Sequence, residues 1–327
     1  MPISRRRMAA LALGLAGTLA FGAQAQAQSK DKWPTRAVRF IVPFGPGAGA
    51  DIGARLFAEK LQKIWGQPVV IDNRPGGDSI VAIKAFVSAN DDHTFLFSPS
   101  GNFAVHPHNY TKMPYDPKDL NPVARVSNTV LGVAVKADSP YKNLKDFTEA
   151  VRKAPGKFSS GLVQGITEFT FWGYEHDQKL KIVQAPYRDI NAAPVDLAED
   201  RIQVVMASLA IVQPQLKAGR IRLITLNNKT RVPTLPDVPT AREQGFPSLE
   251  YEGLVGLFGL PDTPEDRKAK IYADFQKAAA DGSIEKRLQS SGQVMNLGSA
   301  KEFTDSIQEQ FNNVTAIAKA INYKPRM

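Results

Sequence analysis

The 327-residue sequence contains no cysteine, which excludes thiol nucleophiles, iron–sulfur clusters, zinc ribbons and structural disulfides and leaves stability to packing. Histidine is nearly as scarce, with four residues at positions 93, 106, 108 and 176. Only His106 and His108 are close together. They sit in a stretch rich in Pro and Asn with no third ligand at helical spacing, so they read as a polar surface loop and not as a metal site. There is no G-x-S-x-G elbow, no H-E-x-x-H helix, no P-loop and no G-x-G-x-x-G after a strand. The apolar run from Met8 to Phe21 is shorter than the ~20 residues of a membrane anchor. Acids are outnumbered, 32 against 41 bases, for a net charge of +9. The bases are scattered and not interleaved with aromatics, which argues against a nucleic-acid surface. No repeat of solenoid length and no low-complexity tract occurs.

What is present begins with a leader. Residues 1–27 pass from Ser4-Arg5-Arg6-Arg7 through an apolar stretch into Ala23-Gln24-Ala25-Gln26-Ala27, the three-part pattern of a signal peptide cleaved after Ala25 or Ala27. Its arginines suit either the general or the twin-arginine export route. Without Arg5, Arg6 and Arg7, 38 bases against 32 acids leave a net charge of +6.

From Ala37 onward, short β-rich runs alternate with helical patterns. Val38 to Val42 reads as a buried strand, residues 43–50 as a Gly/Pro loop and Asp51 as a helix N-cap, after which Ile52, Leu56, Phe57, Leu61, Ile64 and Trp65 recur at helical spacing up to Gly66. Further strands are expected at 69–71, 94–97, 130–135, 158–160, 182–185, 202–206, 221–226 and 254–260. Helices are expected at 80–88, 144–152, 167–178, 192–198, 210–218 and 265–280, and Ser299-Ala300-Lys301-Glu302 is a capping box opening a last helix to about 321. Such alternation predicts an α/β protein with parallel sheets covered on both faces. The Pro-rich stretch 232–247 is a candidate crossing between two lobes, residues 30–130 plus 252–327 in one and 131–251 in the other.

The loop Gly45-Pro46-Gly47-Ala48-Gly49-Ala50-Asp51 joins a buried strand to a helix start. It lacks a Walker lysine, but small residues let backbone N–H groups approach a ligand beside the positive end of a helix dipole, which suits an oxyanion such as a carboxylate. A second reading stands beside it: Gly and Ala serve only to make a tight βα turn.

Read with its neighbours, this loop resembles that of the extracytoplasmic solute receptors of tripartite tricarboxylate transporters, the Bug receptors. The similarity runs in order along the chain: residues 43–51 with Ala54-Arg55, then Gly66-Gln67-Pro68-Val69-Val70-Ile71-Asp72-Asn73-Arg74-Pro75-Gly76. It continues through Ala185-Pro186-Tyr187-Arg188, Ala193-Pro194-Val195-Asp196-Leu197, residues 216–222, Leu235-Pro236-Asp237-Val238-Pro239-Thr240 and Glu243-Gln244-Gly245-Phe246.

The resemblance implies a type II periplasmic-binding-protein fold, two α/β lobes joined by crossing strands with a ligand cleft between them. It implies no covalent chemistry and no cofactor or metal. The implied partners are a small organic acid and the membrane permease subunits of a tripartite tricarboxylate transporter, with a monomer in the periplasm as the working form. In the first lobe the implied ligand contacts are Phe44, Gly47, Ala48, Gly49, Ala50 and Asp51, with Ser98 and Ser100 on the same cleft edge. In the second they are Gln164, Gly165, Ile166 and Thr167. Arg188 either reaches a distal carboxylate or is solvated.

Three departures from the family pattern stand out. Ala48 replaces a glycine. Gly76-Gly77-Asp78-Ser79 replaces Gly-Ala-Gly-Gly. Ala207-Ser208 stands where an acidic residue is frequent, which places Ser208 among the implied contacts and argues against a ligand with an ammonium group. The amide-rich loops and the cluster of Phe169, Phe171 and Trp172 point to a dicarboxylate or an aromatic carboxylate, although those aromatics also suit a helix core. Two alternatives remain: a receptor that passes its closed shape to a sensor kinase, and an exported hydrolase or isomerase of organic acids, for which no poised nucleophile is visible.

Overall fold

The computed structural model describes residues 33–162, 165–185, 187 and 189–325. The expected leader at 1–27 lies outside them, as do Gln164 and Arg188. Among the described residues no helix is long and apolar enough to cross a membrane.

The chain alternates strand and helix as its pattern predicts. Strand β1 (Val38–Val42) leads to α1 (Gly49–Trp65), β2 (Val69–Asn73), α2 (Ile80–Ala89), β3 (Thr94–Pro99), α3 (Gly101–Asn109) and β4 (Asn121–Thr129). A second series comprises β5 (Leu131–Lys136), α4 (Leu144–Lys153), β6 (Phe158–Leu162), α5 (Ile166–Gln178), β7 (Ile182–Gln184), α6 (Ala193–Ala198), β8 (Val204–Ser208), α7 (Leu209–Lys217) and β9 (Ile221–Leu226). The chain then returns through β10 (Gly253–Gly259), α8 (Glu265–Ala279), α9 (Ser283–Ser290), β11 (Gln293–Gly298) and α10 (Ala300–Ala320).

Two sheets result, ordered β11-β4-β10-β3-β1-β2 and β7-β6-β8-β5-β9. The expectation of purely parallel sheets needs correction. β1, β2 and β3 are parallel, as are β6, β7 and β8, but β10 runs antiparallel to β3 and β4, and β5 antiparallel to β8 and β9. The antiparallel strands are those next to the crossings, where the chain arrives from the other sheet.

Each face of the first sheet carries its own core. On one, Phe57 and Trp65 of α1 meet Phe40, Phe95 and Phe97, with Phe275 of α8 at 4.7 Å from the Phe57 ring; the Trp65 indole N–H donates to buried Asp274 at 2.8 Å. On the other, Ile83, Phe86, Leu254, Phe258 and Phe303 pack together. In β4 a bulge doubles Val126 and Ser127 onto the first face and re-aims Arg125 and Asn128 to the second.

Two crossings join the sheets. At the first, Val130 donates its N–H to Gly292 and accepts from Leu209, at 2.9 and 2.8 Å, so one residue is bonded to both halves. Asn227 and Asn228 staple the second crossing to the first, through Asn227 N–H to Leu131 and Leu131 N–H to Asn228 Oδ1. The Pro-rich stretch 232–247 is not itself the crossing. Val232, Leu235, Val238, Ala241 and Phe246 pack on the second sheet, and the chain leaves it only at Leu249 to Glu252. Helix α10 packs against α3 and α5 at once, through Phe169, Val105, Val314 and Ala318.

Glu175 on α5 is largely buried, with one backbone donor, Ile182, at 3.1 Å, and burial pushes its pKa up to about 7. A carboxyl raised in this way stabilises the fold only while protonated. Stability should therefore fall as pH rises from the unfolded carboxyl range near ~4.3 through 7. Denaturant titrations across that window should show this slope in the wild type and a flatter one in Glu175→Gln. Parallel slopes would rule it out.

Candidate ligand site

In open α/β sheets ligands gather at the carboxyl ends of parallel strands. Here those ends carry the loops from β1 to α1, β2 to α2 and β3 to α3 in one sheet, and from β6 to α5 and β8 to α7 in the other. The two sets meet. A Cβ on Gly101, at the head of α3, would lie 2.8 Å from Ile166 at the head of α5, and one on Gly292 would lie 3.0 Å from the Ala210 nitrogen at the head of α7. The head of α1 lies beside Gly292, because the neighbouring Gln293 amide donates to the Gly49 carbonyl at 2.7 Å.

The local structure of the first loop corrects the reading of Asp51. The N-cap of α1 is Ala48, with extended backbone and no side-chain cap, and Asp51 is the third helical residue. Its carboxylate points inward and is 1% exposed. One oxygen accepts the Gly47 N–H at 2.8 Å and Arg55 Nε at 3.0 Å; the other accepts Asn73 Nδ2 at 2.8 Å and Arg55 Nη2 at 3.0 Å. Asn73 Nδ2 also reaches the Phe44 carbonyl at 2.8 Å. Burial is the largest influence on Asp51 and pushes its pKa up, but the bonds from Arg55, Asn73 and Gly47 together outweigh it and hold the carboxyl below its ordinary range. The Gly47 amide and the Asp51 carboxylate are thus committed to shaping the loop, and Gly47, at φ 88°, occupies a conformation that favours glycine.

What the loop offers a ligand is further along. The first intrahelical bond runs from Ile52 to Ala48 at 2.9 Å, leaving the N–H groups of Gly49, Ala50 and Asp51 without a helical acceptor at the positive end of a 17-residue helix. The head of α5 is similar: its N-cap, Gly165, has no side chain to cap with. Ser100 and Ser208 head α3 and α7, again without a side-chain cap. By contrast α4 is capped by Asn143 and α10 by the Ser299–Glu302 box. Helices α8 and α9 are uncapped too, so the distinguishing feature here is that the uncapped heads of α1, α3, α5 and α7 all follow the carboxyl ends of parallel strands.

Other expected contacts are placed differently. Ser98 and Ser100 stand on the cleft edge, but both are fully buried; Ser98 Oγ donates to the Pro99 carbonyl and Ser100 Oγ to Gln310 at 2.9 Å each. Phe44 packs partly against the first core. Ile166 and Thr167 begin α5, with Thr167 buried. The aromatic cluster is core: Phe171 belongs to the second sheet, Phe169 sits between α3, α5 and α10, and Trp172 rests against Phe169 and Tyr323. His106 and His108 lie on α3 and not in a surface loop. His106 is fully buried between Tyr115 and Asp78. Among the described residues no group of three or more potential metal ligands occurs.

A cavity of about 820 Å³ lies between α5, α10 and the second crossing, lined among others by Ile166, Arg125, Lys229, Arg242, Glu252 and Gln310. It includes none of residues 44–51, and its cations are engaged: Arg242 with Glu250, Lys229 with Glu309 at 2.8 Å, and Arg125 with Asn296 and Ser306.

A family model described as the tripartite tricarboxylate transporter family receptor matches residues 53–323. The chain belongs to this family. The receptor is 30% identical to a UPF0065 protein of the tcbD-tcbE intergenic region of Pseudomonas sp. (strain P51), over 92% of this chain and 89% of that one. Among solved structures it resembles a periplasmic transporter, with 31% identity, a TM-score of 0.75 and coverage of 89% of this chain and 99% of that one. It also resembles R. palustris Rpa4515 with adipate, with 26% identity, a TM-score of 0.77 and coverage of 90% and 99%. The fold is accordingly that of the periplasmic binding proteins, and the receptor is a binding protein and not an enzyme.

Proposed function

We propose that the receptor captures a small dicarboxylate between its two lobes outside the cytoplasm and delivers it, as a monomer, to permease subunits of a tripartite tricarboxylate transporter. The observation that carries this is the convergence of uncapped helix heads, led by the free amides of Gly49 and Ala50. They neutralise a carboxylate without a buried cation. The leader at 1–27 supplies export to the periplasm, and the crossings at Val130 and at Asn227 to Glu252 serve as hinges between the lobes.

The adipate held by a relative of 26% identity supports a dicarboxylate. The aromatic-acid alternative loses its main support, because Phe169 and Phe171 are core. Thermal-shift measurements should raise the melting temperature with adipate or succinate, since a ligand at 100 times its dissociation constant adds ~2.7 kcal/mol. Stabilisation by amino acids or sugars alone would refute the proposal.

A further inference from the structure

The departure at Gly76-Gly77-Asp78-Ser79 builds a hydrogen-bonded chain that ends at the cleft. Asp78, with a side chain 35% exposed, accepts Asn102 Nδ2 on one oxygen at 2.8 Å and faces His106 Nε2 on the other at 3.0 Å. His106 Nδ1 lies 2.8 Å from the Tyr115 hydroxyl. A phenol that donates to Nδ1 leaves Nε2–H to donate to Asp78, so the network itself assigns the tautomer. Asn102 Nδ2 also donates to Ser79 Oγ at 3.1 Å.

A carboxylate only accepts, so the Asn102 amide cannot turn over: its NH₂ faces Asp78 and its carbonyl faces away. That Oδ1 lies 3.4 Å from where a Cβ on Gly165 would stand, at the head of α5 and hence between the lobes. Among the described residues nothing donates to it. The helix heads around the gap present donors, which carboxylate oxygens satisfy. This fixed acceptor repels a carboxylate oxygen and pairs with a donor on the ligand. Both oxygens of Asp78 are already engaged, which leaves a neutral amide carbonyl, matched to a hydroxyl in preference to an ammonium.

We infer that Asn102, held by Asp78 and His106, is a specificity-determining residue that selects acids carrying a hydroxyl group. The inference rests on the carboxylate reading above.

The test is isothermal titration of the full mature chain with matched pairs, succinate against 2-hydroxysuccinate and adipate against 2-hydroxyadipate, together with 2-aminosuccinate. In the wild type the hydroxylated member of at least one pair should bind roughly tenfold more tightly, the size of one good hydrogen bond. The ratio should collapse towards one in Asn102→Leu. Asp78→Asn frees the Asn102 amide to turn and should lower the ratio as well, which keeps the test valid where Asn102→Leu does not fold. Plain diacids that bind with no preference for the hydroxyl, or a preference that survives both substitutions, would overturn this inference alone. Tighter binding of 2-aminosuccinate would overturn the choice of hydroxyl. Failure of every diacid to bind would overturn the carboxylate reading and this inference with it.

Discussion

Asp51→Ala should lower both the stability of the receptor and its affinity for any carboxylate. The substitution removes the acceptor shared by Gly47, Arg55 and Asn73 and strands the Gly47 amide and one face of the Arg55 guanidinium, while Asn73 keeps the Phe44 carbonyl. Breaking a fully buried pair costs 3 to 5 kcal/mol. Arg55 is half exposed and recovers part of its hydration, so a loss of ~2 to 3 kcal/mol is expected. Affinity should fall by roughly 10- to 100-fold, because the amides of Gly49 and Ala50 are then no longer held ready. Asp51→Asn, which keeps an acceptor but loses the charge, should fall between. The pH dependence follows from the lowered carboxyl: its contribution is present above the unfolded value near ~3.9 and is lost as pH falls through the lower folded value. Denaturant titration with calorimetry on the same variants checks both effects. Wild-type affinity in a measurably destabilised Asp51→Ala would separate the loop's shape from binding and contradict the account.

Gly101→Val should act on closure. A Cβ at this position would stand 2.4 Å from the Tyr251 hydroxyl and 2.8 Å from Ile166, which is closer than real contacts allow, and a branched side chain adds a second methyl group. Tyr251 leads the chain back across the second crossing, and Ile166 starts α5, so the wedge falls where the heads of α3 and α5 meet. The expected result is a population shifted to the open form and an affinity weakened by at least ~10-fold. Small-angle scattering with adipate should show compaction in the wild type and little in the variant. Equal compaction in both would mean that the heads of α3 and α5 do not limit closure.

How much of this was legible in the sequence varied with how local its cause is. Strand β1, helix α1 and the capping box of α10 were readable because an apolar period or a cap motif sits within a few residues. Strand β4 was missed. It opens with Asn121-Pro122 and carries Arg125, Ser127 and Asn128, polar residues that bond to partners more than 100 positions away. Helix α3 was missed because Gly101, Asn102 and Pro107 are poor helix residues, and contacts with α10 and Asp78 hold it instead. Strand β11 and helix α9 gave only weak patterns at the edge of the first sheet.

At the site, the glycine-rich loop was legible as an anion cradle, but not which atoms serve. Asp51 has the residue type of an N-cap, and only the placement of Arg55 and Asn73 turns it inward. Ser98 and Ser100 looked available because their partners, the Pro99 carbonyl and Gln310, are set by tertiary contact. Asp78, Asn102, His106 and Tyr115 went unread as a group, since residues spread over two loops and the helix between them carry no common spacing. The one local signal was an aspartate where the family has glycine.

The central claim is that backbone N–H groups at helix heads hold the acid. Amide resonances of the ¹⁵N-labelled receptor, followed while adipate is added, test it most directly. The account predicts that the Gly49, Ala50 and Ile166 amides move downfield and saturate together. Saturable shifts confined to the cavity around Glu252 and Gln310, with Gly49 and Ala50 unmoved, would contradict it.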